Sequence, residues 1–119
     1  MPQAKPTLDE LSASAQEAAT LLKALANSDR LMILCLIAEQ ERNVSELQEI
    51  LELRQPTLSQ QLSRLRAEGI VSTRREGKSI YYSLNDSATG KVIELLYELY
   101  CAPKLETEAQ KTKAATEAA

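Results

Sequence analysis

The apolar spacing of this chain changes at Gly69, and that change narrows the folds open to it more than any other feature. Before this glycine, apolar residues recur every three or four positions, the spacing of a helix face. After it come two β-branched and aromatic stretches, Ile70 to Arg75 and Ser79 to Leu84, joined by Glu76-Gly77-Lys78 as a hairpin. Helical spacing then resumes. A mainly α domain interrupted by one β-hairpin follows, with about five helices.

The helices can be placed from their punctuation. Leu8, Leu11, Ala15, Ala18, Leu22 and Leu25 form one stripe, the first helix. Asn27-Ser28-Asp29 supplies cap residues, and Leu31 to Ala38 follows as a second helix that is apolar on every side, predicted to sit mid-core. Glu39 to Asn43 reads as a loop. Ser45-Glu46-Leu47-Gln48 then reads as a capping box opening a short third helix through about Leu53, with Arg54-Gln55-Pro56 as the break. Thr57-Leu58-Ser59-Gln60 reads as a second box, opening a fourth helix with Leu58, Leu62 and Leu65 on one face and Gly69 as its stop. A last helix, Ser87 to Cys101, carries Val92, Ile93, Leu95, Leu96 and Leu99, with Ala102-Pro103 as its end. Residues 1–7 read as a flexible arm, 8–102 as the folded domain and 103–119 as a flexible tail.

Composition removes whole classes of chemistry. The 119 residues include no histidine, which excludes Ser-His-Asp and Cys-His catalysis and the HExxH metalloprotease motif. Four Tyr with no Phe or Trp leave no base-stacking platform for single strands. No apolar run approaches the roughly 18 residues of a membrane span, so a cytoplasmic protein is expected. In that reducing compartment the two cysteines would pair only conditionally.

The net charge of -3 hides an asymmetry. Arg54 to Lys78 holds six basic residues against two acidic ones, +4, which leaves -7 for the rest of the chain. A basic segment in an acidic chain suits a local polyanion-binding surface. At about 100° per residue from Leu62, the fourth helix turns Leu58 and Leu65 inward and Gln60, Ser63, Arg64 and Ala67 outward. Arg pairs with guanine and Gln with adenine in a major groove, while small Ser and Ala let a helix seat deeply. Thr57, Ser59 and Gln61 stand near the helix N-terminus, suited to bases or to phosphate. Arg74, Arg75 and Lys78 at the hairpin suit a neighbouring phosphate strand. A helix pair followed by a basic hairpin is a winged helix-turn-helix, whose expected partner is double-stranded promoter DNA. A protein-binding helix pair is the rival reading of the same elements.

With these motifs in place, the segments Leu22 to Leu31, Val44 to Leu47, Gln55 to Val71 and Arg74 to Tyr82 closely resemble the ArsR/SmtB family of bacterial repressors, over about residues 16 to 102. The resemblance implies a bacterial homodimer, joined through its first and last helices, that binds promoter DNA at an inverted repeat until an effector releases it. Leu11, Ala15, Ala18, Leu22, Val92, Ile93, Leu96 and Leu99 are the corresponding interface residues here.

Metal sensing, familiar in that family, lacks its ligands. Its Cys-Val-Cys-Asp-Leu segment is replaced by Asn43-Val44-Ser45-Glu46-Leu47, and the Asp and His ligands of its zinc and nickel sensors have no histidine to use. No metal or other cofactor is therefore expected. Cys35 and Cys101 instead resemble the thiols of the persulfide- and redox-responsive branch, the BigR and SqrR type, implying a reversible disulfide or polysulfide bridge formed by reactive sulfur or an oxidant. From the residues alone they read equally as two small hydrophobes, although Cys101 lies off the main apolar stripe, on the side of Glu94, Tyr97 and Glu98. A metal-responsive repressor using both thiols and carboxylates, and a thiol enzyme, stay open beside that reading. The absence of a CxxC pair weighs against the enzyme.

Overall fold

A computed structural model of the chain describes residues 5–105. The elements run α1 (Leu8–Leu25), α2 (Ser28–Glu39), β1 (Arg42–Asn43), α3 (Val44–Leu51), α4 (Gln55–Ala67), β2 (Val71–Glu76), β3 (Ser79–Leu84) and α5 (Ser87–Leu96), and α5 continues through a π-helical turn, Tyr97–Cys101. The first four residues of the expected arm, and the expected tail from residue 106, lie outside the described residues.

Buried aliphatic side chains from five helices and the hairpin meet in one core. Ile33, Leu34 and Ile37 of α2, Leu47 of α3, Leu58, Leu62 and Leu65 of α4, Ile70 and Val71 at the start of the hairpin, and Ile93 of α5 are all nearly inaccessible, joined by Ala24 and Leu25 of α1. α2 is central but not wrapped on every side as its composition suggested. Met32 is exposed, and Leu31, Cys35 and Leu36 are half-buried, because the protomer has too few elements to cover a helix all round. α1 buries only its last turn. There the Arg30 guanidinium, itself buried, donates to the Ala24 carbonyl at 2.7 Å and so ties α1 to α2.

Three local expectations are corrected. The stretch Glu39 to Asn43 is not all loop: Arg42 and Asn43 pair with Tyr82 and Tyr81, adding a third strand in the order β1-β3-β2. Two residues are too short for an alternation signal, so nothing in the sequence marked them. The box opening α3 is Asn43 with Glu46, each side chain bonded to the other's backbone N–H, and not Ser45 with Gln48. The helix α4 starts at Gln55 with Pro56 in its first turn, and no side chain caps it. A proline there costs no hydrogen bond because the first N–H groups of a helix have no intrahelical acceptor, so Pro56 begins this helix and does not break the one before it.

The end of α4 fixes where the hairpin leaves. Gly69, at φ +75°, follows the cap Glu68; its N–H bonds to Arg66 and that of Ile70 to Leu65, a Schellman turn. Asn85 then spans the hairpin base, donating its backbone N–H to the Ile70 carbonyl and its side-chain amide to that of Gly69, both at 2.9 Å. The hairpin is thereby hung from the C-terminus of α4. Its loop is two residues, with Gly77 at φ +62° in the first position, as a II′ turn requires.

Between α3 and α4 the chain turns on Glu52, held at φ +56° in the left-handed region that glycine normally occupies. Its side chain is exposed. Glu52→Gly is expected to stabilise the protein by about 1 kcal/mol, since the Cβ penalty of this conformation disappears. A urea titration should move to a higher midpoint with an unchanged slope.

Candidate DNA-reading face and thiol groove

On α4, the three inward leucines leave Gln60, Ser63, Arg64 and Ala67 exposed together, as the helical spacing predicts. Thr57, Ser59 and Gln61 lie at the flanks, half-buried. Ser59 accepts a hydrogen bond from the Gln55 amide at 3.0 Å. Arg64 is 3.5 Å from Glu68 across one turn, an exposed pair of small energetic weight that a phosphate or base can displace. Arg54, exposed at the start of α4, adds a cation to this face that motif reasoning passed over. The +4 charge of the segment was its only sequence signal.

The hairpin cations divide into two kinds. Arg75 and Lys78 stand exposed beside the loop, with no ion pair among the described residues. Arg74, expected beside them as a phosphate contact, is engaged within the protomer. Its guanidinium donates to both carboxylate oxygens of Glu41, with contacts of 2.7–3.2 Å, and to Glu76 at 2.9 Å, and it sits 4.9 Å from the Tyr81 ring centroid. These bonds hold the Glu41 carboxyl below the usual carboxylate range and the Arg74 guanidinium above its ordinary value. Pairing with a residue 33 positions earlier was invisible because Glu41 is placed by the unforeseen strand β1.

The two cysteines are free and line one groove between α2 and the end of α5. Its volume is about 1110 Å³, and its walls include Leu31, Leu36, Leu84, Leu96, Tyr97 and Tyr100. Cys35 is half-buried and Cys101 exposed. Burial pushes the Cys35 thiol above its ordinary value, and the nearby Cys101 adds a like-charge contribution in the same direction.

Glu94 and Tyr97, on whose side the helical projection put Cys101, line the groove with it, and the π turn explains where the projection departs from the structure. Ala102 donates to Tyr97, five residues back, so each residue advances less than in an α-helix. Leu96, projected opposite Cys101, lines the same groove. The helix also runs on through residues 102–105, past the proline expected to stop it. Widening the preceding turn is one way a helix accommodates the ring.

Of the residues assigned to a dimer interface, Leu11, Ala15, Ala18, Leu22 and Leu99 are exposed, and Val92 and Leu96 half-buried. Ile93 is corrected: only 3% exposed, it belongs to the protomer's own core. Leu95, 52% exposed, stands on the outer face instead. No helix among the described residues is long and apolar enough to cross a membrane.

Comparison with known proteins gives this geometry its family. The arsR family of bacterial regulatory proteins matches residues 27–73. The biofilm growth-associated repressor of Agrobacterium fabrum is 50% identical over 97 residues, covering 82% of this chain and 83% of the relative. The transcriptional activator HlyU of Vibrio cholerae is 45% identical over 94 residues, 79% of this chain and 87% of HlyU. Among solved structures, reduced HlyU from Vibrio cholerae superposes with a TM-score of 0.76 at 45% identity, covering 79% of this chain and 99% of that one. The transcriptional repressor BigR from Xylella fastidiosa gives 0.74 at 42% identity, over 82% and 96%. The chain therefore belongs to the ArsR family, as a winged helix-turn-helix transcriptional regulator of the BigR and HlyU branch and not an enzyme.

Proposed function

We propose that the protein is a homodimeric repressor that releases promoter DNA when Cys35 and Cys101 become joined by a disulfide or polysulfide bridge. The observation that carries the reading is the groove shared by the two free thiols, one on α2 and one at the end of α5. Dimerisation through α1 and α5 is supported by the apolar side chains they leave in solvent, among them Leu8, Leu11 and Leu22 on one and Leu95 and Leu99 on the other. A covalent link would tie the core helix to the interface helix. In a dimer the two α4 helices must enter successive major grooves about 34 Å apart, so a small rotation between protomers lowers affinity.

Among the described residues no group of three or more Cys, Asp or Glu is arranged to hold a metal ion. That favours the thiol reading over a metal-responsive one. The DNA contacts proposed are Gln60, Ser63 and Arg64 for bases, Thr57, Ser59 and Gln61 near the helix start, and Arg75 and Lys78 for phosphate. Operator affinity should be measured before and after a disulfide-forming oxidant or a persulfide, in the wild type and in Cys35→Ser and Cys101→Ser. A loss of about tenfold or more in the wild type alone is expected, equivalent to a coupling of about 1.4 kcal/mol. Serine variants that still let go of DNA on oxidation would refute the bridge.

Arg74 leads to a separate expectation. Glu41 competes with phosphate for its guanidinium, so Glu41→Gln should free a wing cation. Affinity should rise severalfold, and the slope of log affinity against log salt should steepen by up to about 0.9, the value for one added phosphate contact. Weaker binding would mean instead that the pair serves to orient the wing.

A further inference from the structure

The groove that holds the thiols is far larger than a thiol switch needs for a small inorganic oxidant, and its chemistry is selective. A water molecule occupies about 30 Å³ of liquid, and hydrogen peroxide is not much larger, against about 1110 Å³ here. The walls are leucine and tyrosine, and Leu31, Leu36 and Leu84 are packed against the core, so much of one side is preformed. The apolar lining is that of sites which bind organic molecules of drug-like size, and the volume lies just above their usual range of about 300–1,000 Å³. The charged residues around it are Lys91 against Glu39 and Glu94, a net negative set that disfavours an anionic guest.

We propose that this groove binds an uncharged, apolar organic hydroperoxide and presents its peroxide group to Cys101. The inference rests on the thiol-bridge reading above and names the class of effector. Cys101 is the exposed thiol and Cys35 the half-buried one, so the first is placed to meet the guest and the second to resolve the product. The Cys101 sulfur, as thiolate, attacks the terminal peroxide oxygen; the O–O bond breaks, and the organic fragment leaves as its alcohol after taking up a proton. Cys101 is then a sulfenic acid. The Cys35 sulfur attacks it, the S–O bond breaks, and water departs. One hydroperoxide is reduced to an alcohol while two thiols are oxidised to one disulfide.

The test uses the full-length reduced protein with cumene hydroperoxide, hydrogen peroxide and diamide, following loss of two hydrogens by mass spectrometry. Each peroxide rate is divided by that of the same reagent with N-acetylcysteine, which removes intrinsic reactivity. Burying a phenyl-sized group should make the normalised rate with cumene hydroperoxide at least about tenfold higher than with hydrogen peroxide, and saturable. Cumyl alcohol should slow cumene hydroperoxide and leave diamide unaffected. Tyr100→Ala, at a position 66% exposed where the core loses nothing, should lower the preference severalfold, each peroxide rate being further divided by the variant's own diamide rate. Equal normalised rates, no saturation, or no protection by cumyl alcohol would overturn the inference. If diamide forms the bridge and operator affinity does not change, the sensing reading fails instead, and the two failures are distinct.

Discussion

Ser63→Glu is expected to lower affinity for promoter DNA by about 100-fold or more while leaving the melting temperature within about 2 °C of the wild type. The position is fully on the exposed side of α4, one residue after the buried Leu62 and one before Arg64. Its side chain is exposed and makes no hydrogen bond among the described residues. Glutamate is also a better helix former than serine, and its distance from both helix ends keeps the macrodipole out of the balance. In a major groove the same change places a carboxylate where a small hydroxyl allowed close approach. It would face the phosphate field and lose hydration without a compensating donor, and it would sit beside the arginine best placed to pair with guanine. A deficit of about 2.7 kcal/mol corresponds to the hundredfold loss. Fluorescence anisotropy with labelled operator and a thermal melt on the same sample would check both halves. Unchanged affinity would remove α4's exposed face from the DNA contact, whatever the family.

Much of this face was legible because two independent signals agree on it. The leucine spacing of α4 fixed which side points inward, and the local excess of Arg and Lys marked the region proposed to meet DNA. Legibility failed where a short-range rule was overruled by distant contacts. Strand β1 is defined by its pairing with Tyr81 and Tyr82, and beside its local partner Glu76 Arg74 gains Glu41 because Glu41 adjoins β1. Pro56 and Pro103 were both read as stops; one begins a helix and the other lies within one, since the effect of proline depends on how the carbonyl four residues earlier is used. The projection of Cys101 held for Glu94 and Tyr97 and missed Leu96 for a similar reason. It assumed α-helical advance to the end of α5, and the π turn removes that assumption at Tyr97.

The cysteine pair shows what spacing along a chain can and cannot supply. Sixty-six residues of separation carry no information about proximity, and a cysteine in an apolar helix is ordinarily a small hydrophobe. Only the packing of α2 against α5 brings Cys35 to the groove that Cys101 also lines. The same packing raises the Cys35 thiol by burial, so at neutral pH it is held mainly protonated. Raising the pH increases its thiolate fraction, and a bridge limited by Cys35 should therefore close faster as pH increases through the thiol range.

Leu62→Ala is expected to cost about 2–5 kcal/mol of stability, a large share of the roughly 5–15 kcal/mol available to a domain of this kind. Leu62 is 1% exposed and stands between Leu58 and Leu65, both at 0%, on the face by which α4 joins the core. Truncation removes its burial and leaves a void that the neighbouring leucines cannot fill, because Leu47, Leu34 and Ile33 are themselves fully enclosed. Leu95→Ala, at 52% exposure in the protomer, removes the same atoms from a site without an enclosing wall. In the folded protomer that change should cost well under 1 kcal/mol, with any further loss appearing only as weaker self-association. Denaturant titrations at two protein concentrations separate the cases. The Leu62→Ala midpoint should fall at both, whereas the Leu95→Ala midpoint should approach the wild type as concentration falls below the range in which the protomers associate. Near-equal effects of the two substitutions at low concentration would mean that α4 is not anchored through its leucine face, and the orientation proposed for its DNA-reading side would lose its physical basis.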